Sequence, residues 1–190
     1  TLRALVDWSY ELLTESEQTA FARFSVFAGG FDMPAAEAVC GAEPLLADDV
    51  LDLIESLIEK SLVMPDDGDE GMRYRMLETI RDYAREKLEH GGELDATLAR
   101  HCDYYFAIAK SANQGLEGPE QADWVWRVEA ELDNLRAAVA LALAGGVDAV
   151  IAVKFAVALT GFWMLRGYAT EGRSVVRSAL ELPAVQSSDV

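Results

Sequence analysis

Apolar residues return every three to four positions along most of the chain, the spacing that puts them on one face of a helix. Leu2, Leu5, Val6, Leu12 and Leu13 predict a first helix. Thr14-Glu15-Ser16-Glu17 then fits a capping box, in which Thr14 and Glu17 satisfy each other's backbone amides. The second helix it opens turns Phe21, Phe24 and Phe27 inward and is expected to stop at Gly29-Gly30, where a left-handed turn is free of Cβ strain. Asp32 predicts the cap of a short third helix with Pro34 in its first turn, reaching Cys40 before Gly41. Asp48 or Asp49 is expected to cap a fourth, with Val50, Leu53, Ile54, Leu57 and Ile58 on one face. The period then falls to about two. Ser61–Pro65 and Met72–Met76 read as strands of a β-hairpin around the polar DDGDEG turn, followed by a helix from Glu78 to Glu89 that ends at Gly91-Gly92.

Helices followed by such a hairpin are the order of a winged helix, which assigns residues 1–90 to a winged-helix-like domain. From Glu93 on, the pattern predicts helices alone: 93–113, 119–144 opened by Gly118-Pro119, 148–166, and 168–182 closed by Pro183. Their short joints favour antiparallel neighbours, so residues 91–190 read as a helical repeat region. The fold class is mainly α. The 148–166 stretch is apolar on almost every side, and its length approaches that of a bilayer span. Lys154 near its middle would cost about 2.5–3.5 kcal/mol on insertion, so a helix buried between repeats is expected, and no membrane.

Half of the 190 residues (51%) are hydrophobic, enough for one large or two small cores. The chain opens at Thr1 directly on the first amphipathic pattern, without Met or a leader, and is expected to be a segment of a longer protein. Two distant cysteines make no disulfide framework, and the reducing cytoplasm is the expected compartment. The net charge is −17, with −12 in residues 1–90 and −5 in 91–190. A charge of that sign repels nucleic-acid phosphates and anionic lipid alike, unless the cations gather on one face.

They do not gather on the helix that a winged helix inserts into the major groove. That fourth helix offers Asp48, Asp49, Asp52, Glu55 and Glu59 against Lys60, so packing on protein is favoured over reading DNA. The one basic stretch, Arg73, Arg75, Arg81, Arg85 and Lys87, is interleaved with carboxylates at spacings that make intrahelical ion pairs. Cys40, His90, His101 and Cys102 lack the spacing of a metal site, and no nucleophile has an evident base, so no catalytic residue and no metal ligand is assigned. Trp124, Trp126, Trp163 and Tyr168 are candidate partner anchors, although aromatics on amphipathic helices mostly fill cores.

Several blocks together resemble one family: TLRALVDWSYELLTESEQTAFARFSVFAGGF at 1–31, LIEKSLV at 57–63, RYRMLETIRDYAREKL at 73–88, RHCDYYFAIA at 100–109 and EAELDNLRAAVALAL at 129–143. The chain looks like part of a bacterial STAND-class signal-transduction ATPase. The resemblance implies a winged-helix domain that follows a nucleotide-binding domain, then the start of a tetratricopeptide-type (TPR-like) sensor region. ATP or ADP with Mg would belong to the parent protein, since no phosphate loop occurs in these residues and the chain itself is expected to carry no cofactor and no enzyme activity. In related proteins a Met-His-Asp motif opens the helix after the wing and senses the diphosphate. Met76-Leu77-Glu78 holds the equivalent position here, and Leu77 has no hydrogen bond to donate, leaving Arg75 and Arg81 as the nearest candidate sensors. The implied partners are the upstream nucleotide-binding domain of the same chain and an unidentified protein or small-molecule inducer. Direct DNA binding by this stretch is not expected, and the alternative reading is a DNA-binding winged-helix transcription factor.

Overall fold

The computed structural model describes residues 2–68 and 71–187, which fall into two compact units, 1–101 and 102–190. The division lies within one helix, α6 (Leu94–Gly115).

In the first unit, α1 (Leu2–Glu11) is followed by α2 (Glu15–Phe24), α3 (Met33–Cys40), a 3₁₀ turn at Ala47–Asp49, α4 (Val50–Glu59), the strands β1 (Met64–Gly68) and β2 (Gly71–Arg75), and α5 (Glu78–His90). The capping box forms as its spacing requires: the Thr14 amide donates to Glu17 Oε2 (2.8 Å) and the Glu17 amide to Thr14 Oγ1 (3.3 Å). Asp32 caps α3 through the Ala35 amide at 2.9 Å, with Pro34 in the first turn.

Several expected boundaries move. Helix α2 ends at Phe24 rather than at Gly29-Gly30, and Phe27 lies beyond it while remaining buried. Neither of those glycines has a positive φ. Gly30 is small for another reason: a Cβ there would lie 3.2 Å from the Tyr74 carbonyl, where the chain passes beside β2. Phe31 and Tyr74 exchange both backbone hydrogen bonds at 2.8 Å, an isolated bridge that the periodicity did not predict. Neither Asp48 nor Asp49 caps α4 with its side chain. The 3₁₀ turn opens that helix, and Asp49 Oδ2 instead accepts from the Leu46 amide.

The first strand begins at Met64, three residues later than expected, because Ser61–Val63 are used to end α4. Ser61 takes a left-handed conformation (φ 58°), its amide donates to Ile58 (2.9 Å) and the Leu62 amide to Leu57 (2.9 Å). These two bonds make a Schellman motif, closed by the buried Leu57 and Leu62. The hairpin pairs Met64 with Arg75 through Gly68 with Gly71, so Asp66, Asp67 and Gly68 are strand residues, while Asp69 and Glu70 of the expected turn lie outside the described residues. The core of this unit is aromatic. Phe31 stacks on Phe27 (4.5 Å between centroids) and Phe24 (5.0 Å), and Phe21 lies against Tyr10 and Tyr83.

Beyond α6 (Leu94–Gly115) come α7 (Gln121–Ala130), α8 (Leu132–Leu143), α9 (Ala149–Arg166), α10 (Ala169–Leu180) and the short α11 (Pro183–Gln186). The single helix expected over 119–144 is two helices, broken at Glu131. Its buried carboxylate accepts from the Tyr105 hydroxyl (3.0 Å) and from Asn134 Nδ2 (3.1 Å), contacts that the non-helical Glu131 backbone accompanies. Pro183 opens α11 rather than simply closing α10. Gly167, left-handed at φ 77°, turns α9 into α10, which packs back along it.

Helix α9 is long and apolar enough to cross a membrane by length and composition. It buries Phe155, Leu159, Phe162 and Trp163 against neighbours within the second unit, but it is not covered all round as its composition suggested. Val150, Val157 and Met164 recur at seven-residue spacing on a face that stays 46%, 64% and 71% exposed, because its neighbouring helices pack on the other side.

Candidate functional site

Helices α2, α3 and α4 with the hairpin and the Phe31–Tyr74 bridge form a helix-turn-helix followed by a wing, and α4 stands where a recognition helix would. Leu53, Ile54 and Leu57 face the core, which turns Leu51, Asp52, Glu55 and Glu59 outward, after the exposed Asp48 and Asp49. The single cation at that end, Lys60, is tied down: its Nζ donates to Glu17 Oε1 (2.7 Å) and Ser56 Oγ (2.6 Å), and Ser56 Oγ donates to the same carboxylate oxygen at 2.5 Å. Glu17 thus caps α2 and clasps α4 at once.

Burial alone would raise the Glu17 pKa, but the hydrogen bonds from Lys60, Ser56 and the Thr14 amide outweigh it and hold the carboxyl at about 2. A carboxyl depressed in the folded state stabilises it fully above its unfolded pKa, and that contribution is lost as pH falls from about 4.5 toward about 2. Glu17→Gln keeps the neutral capping interaction and loses the charged clasp. It is expected to cost about 1–2 kcal/mol at pH 7 and progressively less below pH ~4.5. Denaturant unfolding of the two proteins at pH 7, 4 and 3 checks the convergence.

The turn between α3 and α4 is held by arginines from outside it. Arg23, 2% exposed, donates Nη1 to the carbonyls of Cys40 (2.9 Å) and Ala42 (2.5 Å), Nη2 to that of Glu43 (2.7 Å), and Nε to Glu93 Oε2 (2.7 Å). Arg100 Nε donates to the Val39 carbonyl at 2.7 Å. These two guanidinium groups satisfy the carbonyls that the end of α3 leaves open. Sequence reasoning missed both residues, and Glu17 beyond its cap, because each acts on segments far away in the chain.

The five positions suggested as a nucleotide sensor are adjacent but do not converge. Met76 is half-buried, and Leu77, 46% exposed, begins α5 without a side-chain cap. Glu78 is exposed. Arg75 pairs with Asp66 across the hairpin (3.6 Å). Arg81 Nη1 donates to the Ala28 carbonyl (2.5 Å), and Arg73 Nη2 to that of Gly30 (3.0 Å), so both grip the loop before Phe31. Among the described residues of the first unit, each Lys and Arg has a partner within it: besides those above, Arg3 holds Glu86, Arg85 faces Glu89, and Lys87 lies over the Tyr10 and Tyr83 rings at 4.6 and 5.0 Å.

The aromatic candidates are separated too. Trp163 is buried against Gly172, and Tyr168 is half-buried beneath Arg136, whose Cζ is 5.6 Å from the ring centre. Trp124 packs on Gly115 with Arg127 over it, whereas Trp126 is 62% exposed. The anchor reading thus fits Trp126 better than Trp163. Burial pushes the Cys40 thiol far up and the Cys102 thiol, with Asp103 adding to it, to about 11, so both stay protonated and unreactive at neutral pH.

Fold and surface together define the class: a mainly helical chain carrying a winged helix-turn-helix domain, whose family model matches residues 13–89. Over 181 residues, 95% of its length, the chain is 46% identical to proteins named "Putative HTH-type transcriptional regulator" in Mycobacterium tuberculosis (strain ATCC 25618 / H37Rv) and Mycobacterium bovis (strain ATCC BAA-935 / AF2122/97). It spans 20% of their length. A Mycobacterium tuberculosis H37Rv protein named as uncharacterized is 40% identical over 102 residues, 53% of this chain and 26% of that one. No solved structure matches the chain.

Proposed function

We propose that this chain is the coupling segment of a cytoplasmic bacterial transcriptional regulator, in which the winged helix packs against protein and relays a signal received by TPR-like repeats in 91–190. The names of its relatives support regulation of transcription. The observation that carries the protein-packing role is the surface of α4, which presents Asp52, Glu55 and Glu59 while Lys60 is held by Glu17 and Ser56. A carboxylate row opposite phosphates is repulsive, and a phosphate would have to break internal bonds to recruit the nearby cations. Following the resemblance to STAND-class ATPases, the surface it packs on belongs to a nucleotide-binding domain elsewhere in the parent protein, which binds ATP or ADP with Mg.

A contact of equal strength in both nucleotide states would shift nothing, so α4 must pack differently on the two. In the full-length protein, amide exchange across α4 is expected to differ between the ATP and ADP forms. Charge reversal of Asp52, Glu55 and Glu59 to Lys, all exposed, should abolish that difference without lowering the melting temperature. Equal exchange in both forms would refute the relay.

The second reading, a DNA-binding transcription factor, draws on the match of 13–89 to a winged helix-turn-helix family. It predicts salt-dependent binding to duplex DNA.

A further inference from the structure

Within the second unit, α8, α9 and α10 leave an apolar cavity of about 180 Å³ between them. Leu135, Val139, Leu159, Phe162 and Trp163 form its walls and Val175 its side toward α10. Interiors of this kind are normally packed to crystal density, and a dry cavity of about 150 Å³ lined by aliphatic and aromatic groups is enough to hold a benzene ring. The walls are set. A Cβ at position 172 would lie 2.7 Å from Trp163 Cε3, so the glycine lets the indole ring lie flat against α10.

At the rim a fork-to-fork pair joins α8 to α10: Arg136 Nε donates to Glu171 Oε1 (2.8 Å) and Nη2 to Oε2 (2.7 Å), while Tyr168 lies under the guanidinium and against Phe162. The hydrogen bonds with Arg136 lower the Glu171 pKa, so the pair is ionised and mutually neutralised at neutral pH. Asp133 Oδ1 also lies 3.7 Å from Arg136 Nη1, so the cation at the rim faces two carboxylates and no positive charge is left over for an anionic ligand, yet acceptor and donor edges remain for one polar group at the mouth.

From this geometry we infer that the cavity is a binding site for a small uncharged molecule the size of one substituted aromatic ring, its apolar body inside and a single polar substituent at the Arg136–Glu171 rim. Occupation would tighten α8 against α10 and give the repeat region a ligand of defined chemistry. The inference deepens the proposed relay by assigning its signal a class, and it rests on that reading only for the consequence of binding.

The test is a methyl NMR titration of the chain with 4-methylphenol, with 4-methylbenzoate as the charged counterpart. Saturable shifts at the methyls of Leu135, Val139, Leu159 and Val175 are expected, with the carboxylate binding at least about tenfold more weakly. Val175→Phe fills the cavity from a half-buried position and Ala140→Phe from an exposed one. Either variant, once its amide spectrum shows it folded, should weaken 4-methylphenol at least about tenfold. Absence of saturable shifts at those four residues in the unmodified chain, or binding undiminished in a folded filled variant, overturns the site. Binding there that leaves hydrogen exchange in α2 to α5 unchanged upholds the site and counts against the relay.

Discussion

Replacing Arg23 by methionine is expected to cost about 3–5 kcal/mol, the range found when one partner is removed from a buried, hydrogen-bonded ionic group. Four acceptors depend on that side chain: the carbonyls of Cys40, Ala42 and Glu43, and the Glu93 carboxylate. Methionine matches the length of the stem but donates to none of them, and the carbonyl of the buried Cys40 at the end of α3 lies too deep to be rehydrated without opening the turn. Lysine keeps the charge but loses the planar fork that reaches three carbonyls at once, so Arg23→Lys should recover only part of the loss. Denaturant unfolding followed by amide signals of α3 and α4 gives the number, and a cost below about 1 kcal/mol would show that the helix-turn-helix holds itself together.

Phe31→Ala is expected to cost a similar ~3–5 kcal/mol through a different route. The ring is 1% exposed and packs on Phe24, Phe27 and Tyr74, while its backbone makes both bonds of the bridge to β2. Alanine leaves those backbone bonds possible but empties the space where the wing meets the helices. Phe31→Leu, which refills most of that volume, should lose under about 1.5 kcal/mol. Calorimetry on the two variants separates lost packing from a lost bridge, since a bridge-dominated effect would make them equal.

Local chemistry explains what could be read from the sequence. The Thr14–Glu17 box, the Asp32 cap, the core faces of α2 and α4 and the existence of a hairpin all depend on residues within a few positions of one another. The misplaced boundaries come from tertiary demands. Ser61 resembles a strand residue by pattern but serves as the left-handed cap of α4, and Glu131 sits in a good helical sequence yet is drawn inward by Tyr105 and Asn134. The candidate site divides in the same way. That α4 is acidic was visible from composition, whereas the fixing of Lys60 by Glu17, 43 residues earlier, needed the fold. Arg75 and Arg81 are the nearest candidate sensors by sequence, and the structure gives each an acceptor across the hairpin or far from it in the chain, Asp66 for Arg75 and the Ala28 carbonyl for Arg81. The apolar length of α9 was plain, but not that Val150, Val157 and Met164 would form an uncovered stripe, because periodicity ranks faces without counting the neighbours available to cover them.

The role of α4 as a protein contact is tested most directly by fluorescence anisotropy of a labelled 30-base-pair duplex titrated with the chain at 50 and 200 mM KCl. The account predicts no binding tighter than about 100 µM at either salt concentration, the weak limit of non-specific association. A dissociation constant below about 1 µM at 50 mM, weakening by roughly a thousandfold at 200 mM, would contradict it and show that the chain binds DNA through its phosphates.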